Sequence, residues 1–568
     1  MGIAAGIAGR QYRLDQNRTP LFDALRKFIH WDPVPFFIPS HKMGEGIDPR
    51  FKSFAGENIF KMDLCEVRWT DDFHGATSSI KEAQELAADA WGAARTHFLV
   101  NGTSGGIIAA ICAVCGEGDR IIVPRNAHKS AIYGLIVSGA APVYVMPELD
   151  EERGLIGGLA PAALEEALGR AGTGTIQGAG SFVSQGPGVD AGGGAKNNAN
   201  AKAVFTVSPT YHGVMSDTAA LAEIAHRHGA VLISDEAHGN HMYFNDRLPK
   251  GALECGADIV CQSTHKMSGA LTQASMLHLG LDAARRIDFD KVRANLSLIQ
   301  TTSPSYILLA SLDLARSYIA TQGRAALDGT LDALEKARRD IGAVPGIEIL
   351  GDELAGSYGV SEYEPTRLVV SARKCGLDGY RLFDLLRESF GIECEFADPN
   401  WCVCVAGLGT TPAHTEALAK ALAEIAESVG VASDEAEIRH KGTVPLCPET
   451  AAGMKHKGTV PLCPETAAGT KHKGTAPLCP SSLCPPIPPL RMTPREAWFA
   501  DKETVPFEKA RGRLSAEMVV PYPPGIPVLC PGEIVTDEVF CYLDEQRKEG
   551  RHMHCIAGDS LETLSVVK

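Results

Sequence analysis

The 568-residue sequence has no run of 18 or more apolar residues, so it offers no candidate membrane span. Positive charge is also scarce. Lys and Arg number 54 against 69 Asp and Glu, a net charge of −15. That balance argues against a nucleic-acid binder, which carries a basic face or stripe. Aromatic residues are few, at 6%. The opening MGIAAGIAGRQYR has no charged segment ahead of an apolar stretch, and it does not read as a secretory signal. Sixteen cysteines are present, but they do not form the framework of a small disulfide-rich domain. They read as reduced thiols of a cytoplasmic protein.

At roughly 150 residues per domain, the length suggests three or four units. Two stretches interrupt the pattern. Residues 171–200 are rich in Gly, Ala, Ser and Asn without an apolar period, and they read as a flexible insertion. From Arg439 a 16-residue unit repeats: RHKGTVPLCPETAAGM, KHKGTVPLCPETAAGT, KHKGTAPLCPSSLCPP. Each unit holds prolines and little that could be buried, so a linker is the favoured reading. A metal site from His440, His456, His472, Cys447, Cys463 and Cys479 is the other. Its His-to-Cys spacing of seven is not a familiar zinc pattern, and no metal is expected. The expected units are 1–75, 76–310, 311–432, a linker at 433–490, and 491–568.

Elsewhere strand and helix patterns alternate. THFLV, RIIVP, APVYVMP, AKAVFTVS, AVLISDEAHG and ADIVCQSTHK read as strands. Amphipathic or buried helical patterns separate them, such as SSIKEAQELAADAWGA and TAALAEIAHRHG. This alternation predicts a mostly parallel sheet covered by helices, an α/β fold. Ligands gather at the carboxyl ends of such strands.

The unusual polar residues fall at those ends. Asn101-Gly102-Thr103-Ser104-Gly105-Gly106 follows a strand and opens a helix. Free N–H groups and hydroxyls there suit a phosphate, although a simple N-cap would use the same residues. Ser234-Asp235-Glu236-Ala237-His238 ends another strand, and Ser263-Thr264-His265-Lys266 a third. His-Lys pairs occur six times, at 41, 128, 265, 440, 456 and 472, so the dipeptide alone means nothing. Lys266 differs by its position at a strand end behind hydroxyls. A partly desolvated lysine has a lowered pKa and forms Schiff bases. A phosphate turn, an acid and a lysine 31 residues later together match the needs of pyridoxal 5'-phosphate. His128, opening NAHKSAIYGL, could offer its face to the cofactor ring or simply cap the helix. Cys112 and Cys115 form a CxxC at the wrong end of a helix for redox chemistry and read as buried thiols. Cys402 and Cys404 alternate in WCVCVAG, a strand with both on one face.

Six segments, NGTSGGIIAAICAV, RNAHKSAIYGL, VSPTYHGVMSD, SDEAHGNH, STHKMSGALTQAS and SAEMVVPYPPGIPVLCPGE, resemble the ornithine/lysine/arginine decarboxylases. The resemblance runs from LDQNRTPLFDAL to about residue 430 and resumes near Thr493. It implies a fold type I, aspartate-aminotransferase-like α/β architecture with smaller α+β C-terminal parts. It also implies decarboxylation of a basic amino acid. The likeness is to the shorter biosynthetic type, for which arginine is the commoner substrate. Lys266 would be the lysine bonded to the cofactor, and Asp235 would pair with its ring nitrogen. His128 would stack on the ring. Thr103, Ser104, Gly105 and Ser263 would hold the phosphate with His265 beside it. Ser208 and Thr210 would border the ring. His238 would meet the cofactor or the substrate carboxylate. Glu517 would meet the distal cation of the substrate, with Pro521, Pro523, Pro524 and Pro527 stiffening its segment. Thr301 to Ser303 would reach the site of a neighbouring subunit in a homodimer or dimer-based oligomer. An aminotransferase or aldolase on the same fold, or an inactive homologue, are the alternatives.

Overall fold

The computed structural model describes residues 12–172, 200–430, 484–521, 525–555 and 560–568. Residues 173–199 of the Gly-rich stretch, the repeats up to residue 483, and Pro523 and Pro524 lie outside the described residues.

Seven strands form the central sheet: β1 (Arg95–Leu99), β2 (Arg120–Pro124), β3 (Ala141–Val145), β4 (Ala203–Val207), β5 (Val231–Asp235), β6 (Ile259–Gln262) and β7 (Ser275–Leu279). Their spatial order is β1-β7-β6-β5-β4-β2-β3. β6, β5, β4, β2 and β3 pair in parallel, and β7 runs antiparallel to both its neighbours. All five residues of β5, VLISD, are buried, as expected where helices cover both faces. Alternation then sorts the side chains. Ile121, Val123, Phe205, Ile233 and Cys261 face one helical layer that includes Ile107, Ile111 and Leu135. Ile122, Val204, Leu232 and Val260 face the other, with Leu164 and Leu221.

The six strands expected from sequence are all present. β7, SMLHL, was not expected. A 37-residue helix, Tyr306–Gly342, starts at Ser305, whose side chain accepts from the Leu308 N–H. It serves two cores. Tyr306 to Leu331 pack against the large domain, and Leu334, Ala337 and Ile341 pack in the small one. This one helix therefore crosses the expected boundary at residue 310.

The small domain is an antiparallel sheet of β8 (Glu348–Ile349), β9 (Arg367–Ser371), β10 (Phe396–Ala397) and β11 (Cys402–Val405), in the order β8-β9-β11-β10. The helices Gly379–Phe390 and Pro412–Val429 supply Leu382, Leu386, Leu418 and Leu422 to its core. In the C-terminal part, Lys502–Pro506 pairs with Thr563–Val567, and Phe507 stacks on Phe540 at 4.6 Å. Leu490, Met518, Val520 and Cys530 join the core of the large domain, which docks this part against the central sheet. Among the described residues, no helix is long and apolar enough to cross a membrane.

Candidate active site

A cleft of about 290 Å³ opens at the carboxyl ends of the parallel strands. β1 delivers Gly102, Thr103 and Ser104, the start of the helix Gly102–Val114. Gly102 has φ +69°, and its N–H donates to the Gln273 carbonyl at 3.1 Å. A Cβ there would meet no neighbour within 4 Å, so the left-handed backbone rather than crowding favours glycine. Thr103 Oγ1 lies 2.6 Å from Ser263 Oγ and 3.1 Å from Ser275 Oγ, joining the ends of β1 and β6 and the start of β7.

Beyond β2, His128 caps the helix Lys129–Ser138. Its Nδ1 accepts from the Ser130 N–H at 3.2 Å while the residue also lines the cleft. Both sequence readings of His128, cap and wall, are therefore compatible. Burial and the nearby Lys266 and Lys129 hold its pKa down at about 4.

β5 ends at Asp235, which is 5% exposed and accepts from the Ala237 N–H at 3.1 Å. Burial lifts its carboxyl to about 6, against the pull of Lys266. The neighbouring Glu236 points away into a separate buried network. It meets Tyr243 at 2.7 Å, Gln262 at 2.6 Å and the Ala252 N–H at 2.6 Å. The acidic pair thus divides, one member for the cleft and one for the core.

β6 leads into Ser263, His265 and Lys266, all lining the cleft. His265 Nδ1 is 2.9 Å from the Ala274 carbonyl. Burial pushes the Lys266 pKa below the usual lysine range, opposed by Asp235 and Glu395. Lys266 Nζ sits 2.9 Å from His238 Nε2 and 5.4 Å from the centre of the Tyr211 ring.

Thr103, Ser104, His128, Asp235, His238, Ser263, His265 and Lys266 therefore share one cleft. Four other sequence candidates do not line it. Gly105 is buried in the first helical turn beside Asn101. Ser208 and Thr210 do not line the cleft, although their neighbours do. Val207, Pro209 and Tyr211 line the cleft, in a stretch that leaves the strand at Val207. Thr210 instead ties a turn, its Oγ1 accepting from the Val214 N–H at 3.1 Å, and Ser208 Oγ is buried without a partner. Glu517 is fully buried in the C-terminal part, where its Oε1 accepts from the Ser565 N–H at 2.5 Å. Its carboxylate serves that fold and stands outside the cleft. Thr301 to Ser303 are exposed. Cys112 and Cys115 end their helix, with burial pushing their thiols up to about 11 and about 12.

Sequence reasoning missed Arg367. It begins β9 in the small domain and is fully buried. Its NH2 stands 2.9 Å from His238 Nδ1, and its NH1 3.2 Å from Glu364 Oε2. Glu364 in turn meets His241 Nε2 at 3.2 Å. No local pattern marks an arginine 129 residues from its partner.

The comparisons with known proteins agree with this geometry. Residues 19–353 match the profile of the Orn/Lys/Arg decarboxylase major domain, and residues 482–554 that of its C-terminal domain. The chain is 37% identical to arginine decarboxylase of Bacillus subtilis, covering 98% of this chain and 99% of the relative. It is 25% identical to lysine decarboxylase LdcA of Pseudomonas aeruginosa, over 92% and 75% of the two chains. Among solved structures, the Francisella novicida lysine decarboxylase LdcF superposes with a TM-score of 0.72 at 19% identity, covering 97% of this chain and 81% of its own. That likeness confirms the fold type I architecture. With the match spanning both the sheet that carries the cleft and the C-terminal part docked on it, the chain belongs to the Orn/Lys/Arg decarboxylase family.

Proposed function

We propose that this enzyme uses pyridoxal 5'-phosphate to decarboxylate arginine, giving agmatine and CO2. The observation that carries the reading is the convergence of the Lys266 amine, the Asp235 carboxylate and the Thr103 and Ser263 hydroxyls on one cleft. The cleft is near the small end of ligand pockets, about 300 Å³ and upward. Its donor set fits the cofactor, with an amine of lowered pKa, a buried acid, and hydroxyls at the N-terminus of a helix. Arginine is favoured because the relatives sharing 34–37% identity are named arginine decarboxylases.

When bound, the cofactor supplies an aldehyde for the substrate amine and a conjugated ring that takes up the electron pair left by CO2. Lys266 offers the amine that holds and releases it. Asp235 would keep a proton on the ring nitrogen. Thr103, Ser104, Ser263 and the free N–H groups of the helix would hold the phosphate, with His265 beside them. His128 would lie against the ring, with Tyr211 near the reacting amine. His238 would orient the amine of Lys266 through its Nε2, 2.9 Å from Nζ. The distal guanidinium needs a carboxylate that Glu517 cannot offer within this chain. We assign that role to Glu395, an exposed acid of the small domain outside the cleft lining, whose charge acts on both Lys266 and His265.

The described cysteines are free, which suits a reducing cytoplasm. We place the enzyme there as a homodimer-based assembly. The test is CO2 release by cofactor-loaded protein, supplied separately with arginine, lysine and ornithine, with the amine product identified. Agmatine from arginine alone supports the reading. Cadaverine or putrescine would keep the reaction and overturn the substrate. No CO2 from any of them would overturn both.

A further inference from the structure

The small domain gathers three thiols that decarboxylation leaves unused. Cys402 and Cys404 are two apart on β11 and so share a face. β10 pairs with β11 antiparallel, Phe396 opposite Val403, and the Glu395 N–H donates to the Val403 carbonyl at 2.9 Å. Glu395 and Phe396 thus both face Val403, an irregularity that turns Cys394, just before β10, to the side of Cys402 and Cys404, with 3.4 Å between the Cys394 and Cys404 Sγ atoms. All three Sγ atoms lie within 4.8 Å of one another. No other such group of three or more His, Cys, Asp or Glu side chains occurs among the described residues.

One buried cysteine is an ordinary small apolar residue. Three sulfurs converging on one point have the geometry of a ligand set. Zinc–sulfur bonds of about 2.3 Å at tetrahedral angles separate the sulfurs by about 3.8 Å. The observed separations, from 3.4 Å to within 4.8 Å, bracket that value. Thiolates select soft cations such as zinc over hard ones. The nearest charged side chains on this edge, Arg387 and Glu393, are exposed and paired with each other. Cys402 is fully buried and Cys394 8% exposed, while Cys404 is half-buried, so a fourth ligand can enter from its side.

We propose that Cys394, Cys402 and Cys404 form a binding site for one thiophilic divalent cation, zinc in kind, which ties β10 to β11. Binding forms three metal–sulfur bonds and displaces the proton of every sulfur that enters as a thiol, with no change in oxidation state.

The experiment uses the full chain with Cys447, Cys463 and Cys479 replaced by serine, which removes one competing thiol from each repeat. Zn2+ alone is titrated for stoichiometry and proton release, and Co2+ for its thiolate charge-transfer absorption. The expected result is one ion per chain, release of thiol protons and a strong near-ultraviolet cobalt band. Cys394→Ser and Cys404→Ser should each weaken binding at least about 100-fold, while Cys375→Ser, in the same core, should not. X-ray absorption at the zinc edge of the background protein should count three sulfurs at about 2.3 Å and needs no further variant. A missing cobalt band, fewer than three sulfurs, or binding that survives Cys394→Ser and Cys404→Ser overturns the proposal.

Discussion

Arg367 NH2 lies 2.9 Å from His238 Nδ1, and the other nitrogen of the same ring, Nε2, lies 2.9 Å from Lys266 Nζ. A guanidinium only donates. His238 must therefore accept at Nδ1 and carry its proton at Nε2. That proton points at Lys266, which must accept it as a neutral amine. The neutral amine is the nucleophilic form. The arginine thus sets the protonation of a lysine it does not touch. Burial and the charge of Arg367 agree, holding the His238 pKa well below the usual histidine range.

Replacing Arg367 tests this relay. Arg367→Met removes both the donor and the positive charge, so the His238 pKa rises and the ring takes a second proton under mildly acidic conditions. Turnover should fall about tenfold near neutrality, roughly the 1.4 kcal/mol of one charge-assisted hydrogen bond. The acid limb of the kcat–pH profile should move upward. Arg367→Lys, which keeps a donor and a charge, should recover part of both. An unshifted pH profile in Arg367→Met would remove the positioning role. Histidine 15N chemical shifts of the cofactor-free protein read the tautomer directly.

Lys266→Ala should eliminate both the visible absorption band of the cofactor-loaded protein and CO2 release. No other described lysine has Lys266's place in the cleft. Measurable turnover in that variant would refute the assignment.

Asp235 ties activity to stability. Folding lifts its pKa from 3.8 to about 6, so the native state favours the protonated acid. The stability it contributes is fully present below about pH 4 and is lost as pH rises through about 6. Above that pH the buried carboxylate costs roughly 3 kcal/mol in the cofactor-free protein. Asp235→Asn should raise the Tm of the cofactor-free protein at pH 8, leave it unchanged near pH 4, and slow decarboxylation at least about 100-fold. Melting curves at both pH values and steady-state rates check the opposite signs.

These examples mark how far the sequence carries. The parallel strands were legible because a strand buried on both faces is a nearly continuous apolar run ended by polar residues, as in AVLISDEAH. The cleft residues at those ends were legible for the same reason. β7 was not, since SMLHL follows a polar loop and pairs with β1, some 180 residues earlier. Ser208 and Thr210 carry the hydroxyls that a sequence pattern favours, but the strand ends at Val207, and beyond it no period says which side chains meet the cleft. Glu517 looked available in SAEM, but its burial depends on Ser565 at the other end of the C-terminal part. Arg367 reaches His238 only after the small domain folds against the large one.

Glu395 is exposed, yet it is an acidic neighbour of both Lys266 and His265. An exposed carboxylate meeting a substrate cation contributes about 1 kcal/mol or less. Glu395→Gln should therefore raise the KM for arginine about three- to fivefold with kcat nearly unchanged, the signature of binding shared by ground and transition states. A fall in kcat without a change in KM would place the residue elsewhere.

A buried ion pair joins the apolar contacts that dock the C-terminal part. Arg125 NH2 meets Glu533 Oε2 at 2.8 Å and the Val528 carbonyl at 2.8 Å, with side chains 4% and 0% exposed. Its NH1 reaches Cys530 Sγ at 2.9 Å, and its guanidinium lies 4.9 Å over the Tyr144 ring. Arg125 directly precedes Asn126, which lines the cleft. Glu533→Ala would strand a buried cation and should cost about 3–5 kcal/mol. A paired change, Arg125→Met with Glu533→Leu, removes both charges and should recover much of that loss, because neither ion then remains desolvated alone. If the interface also shapes the cleft, Glu533→Ala should weaken cofactor binding while the paired variant restores stability before it restores affinity. Denaturant unfolding and cofactor titration on the same three proteins separate the two effects. Equal Tm values for Glu533→Ala and the unmodified chain would show that this pair does not hold the C-terminal part in place.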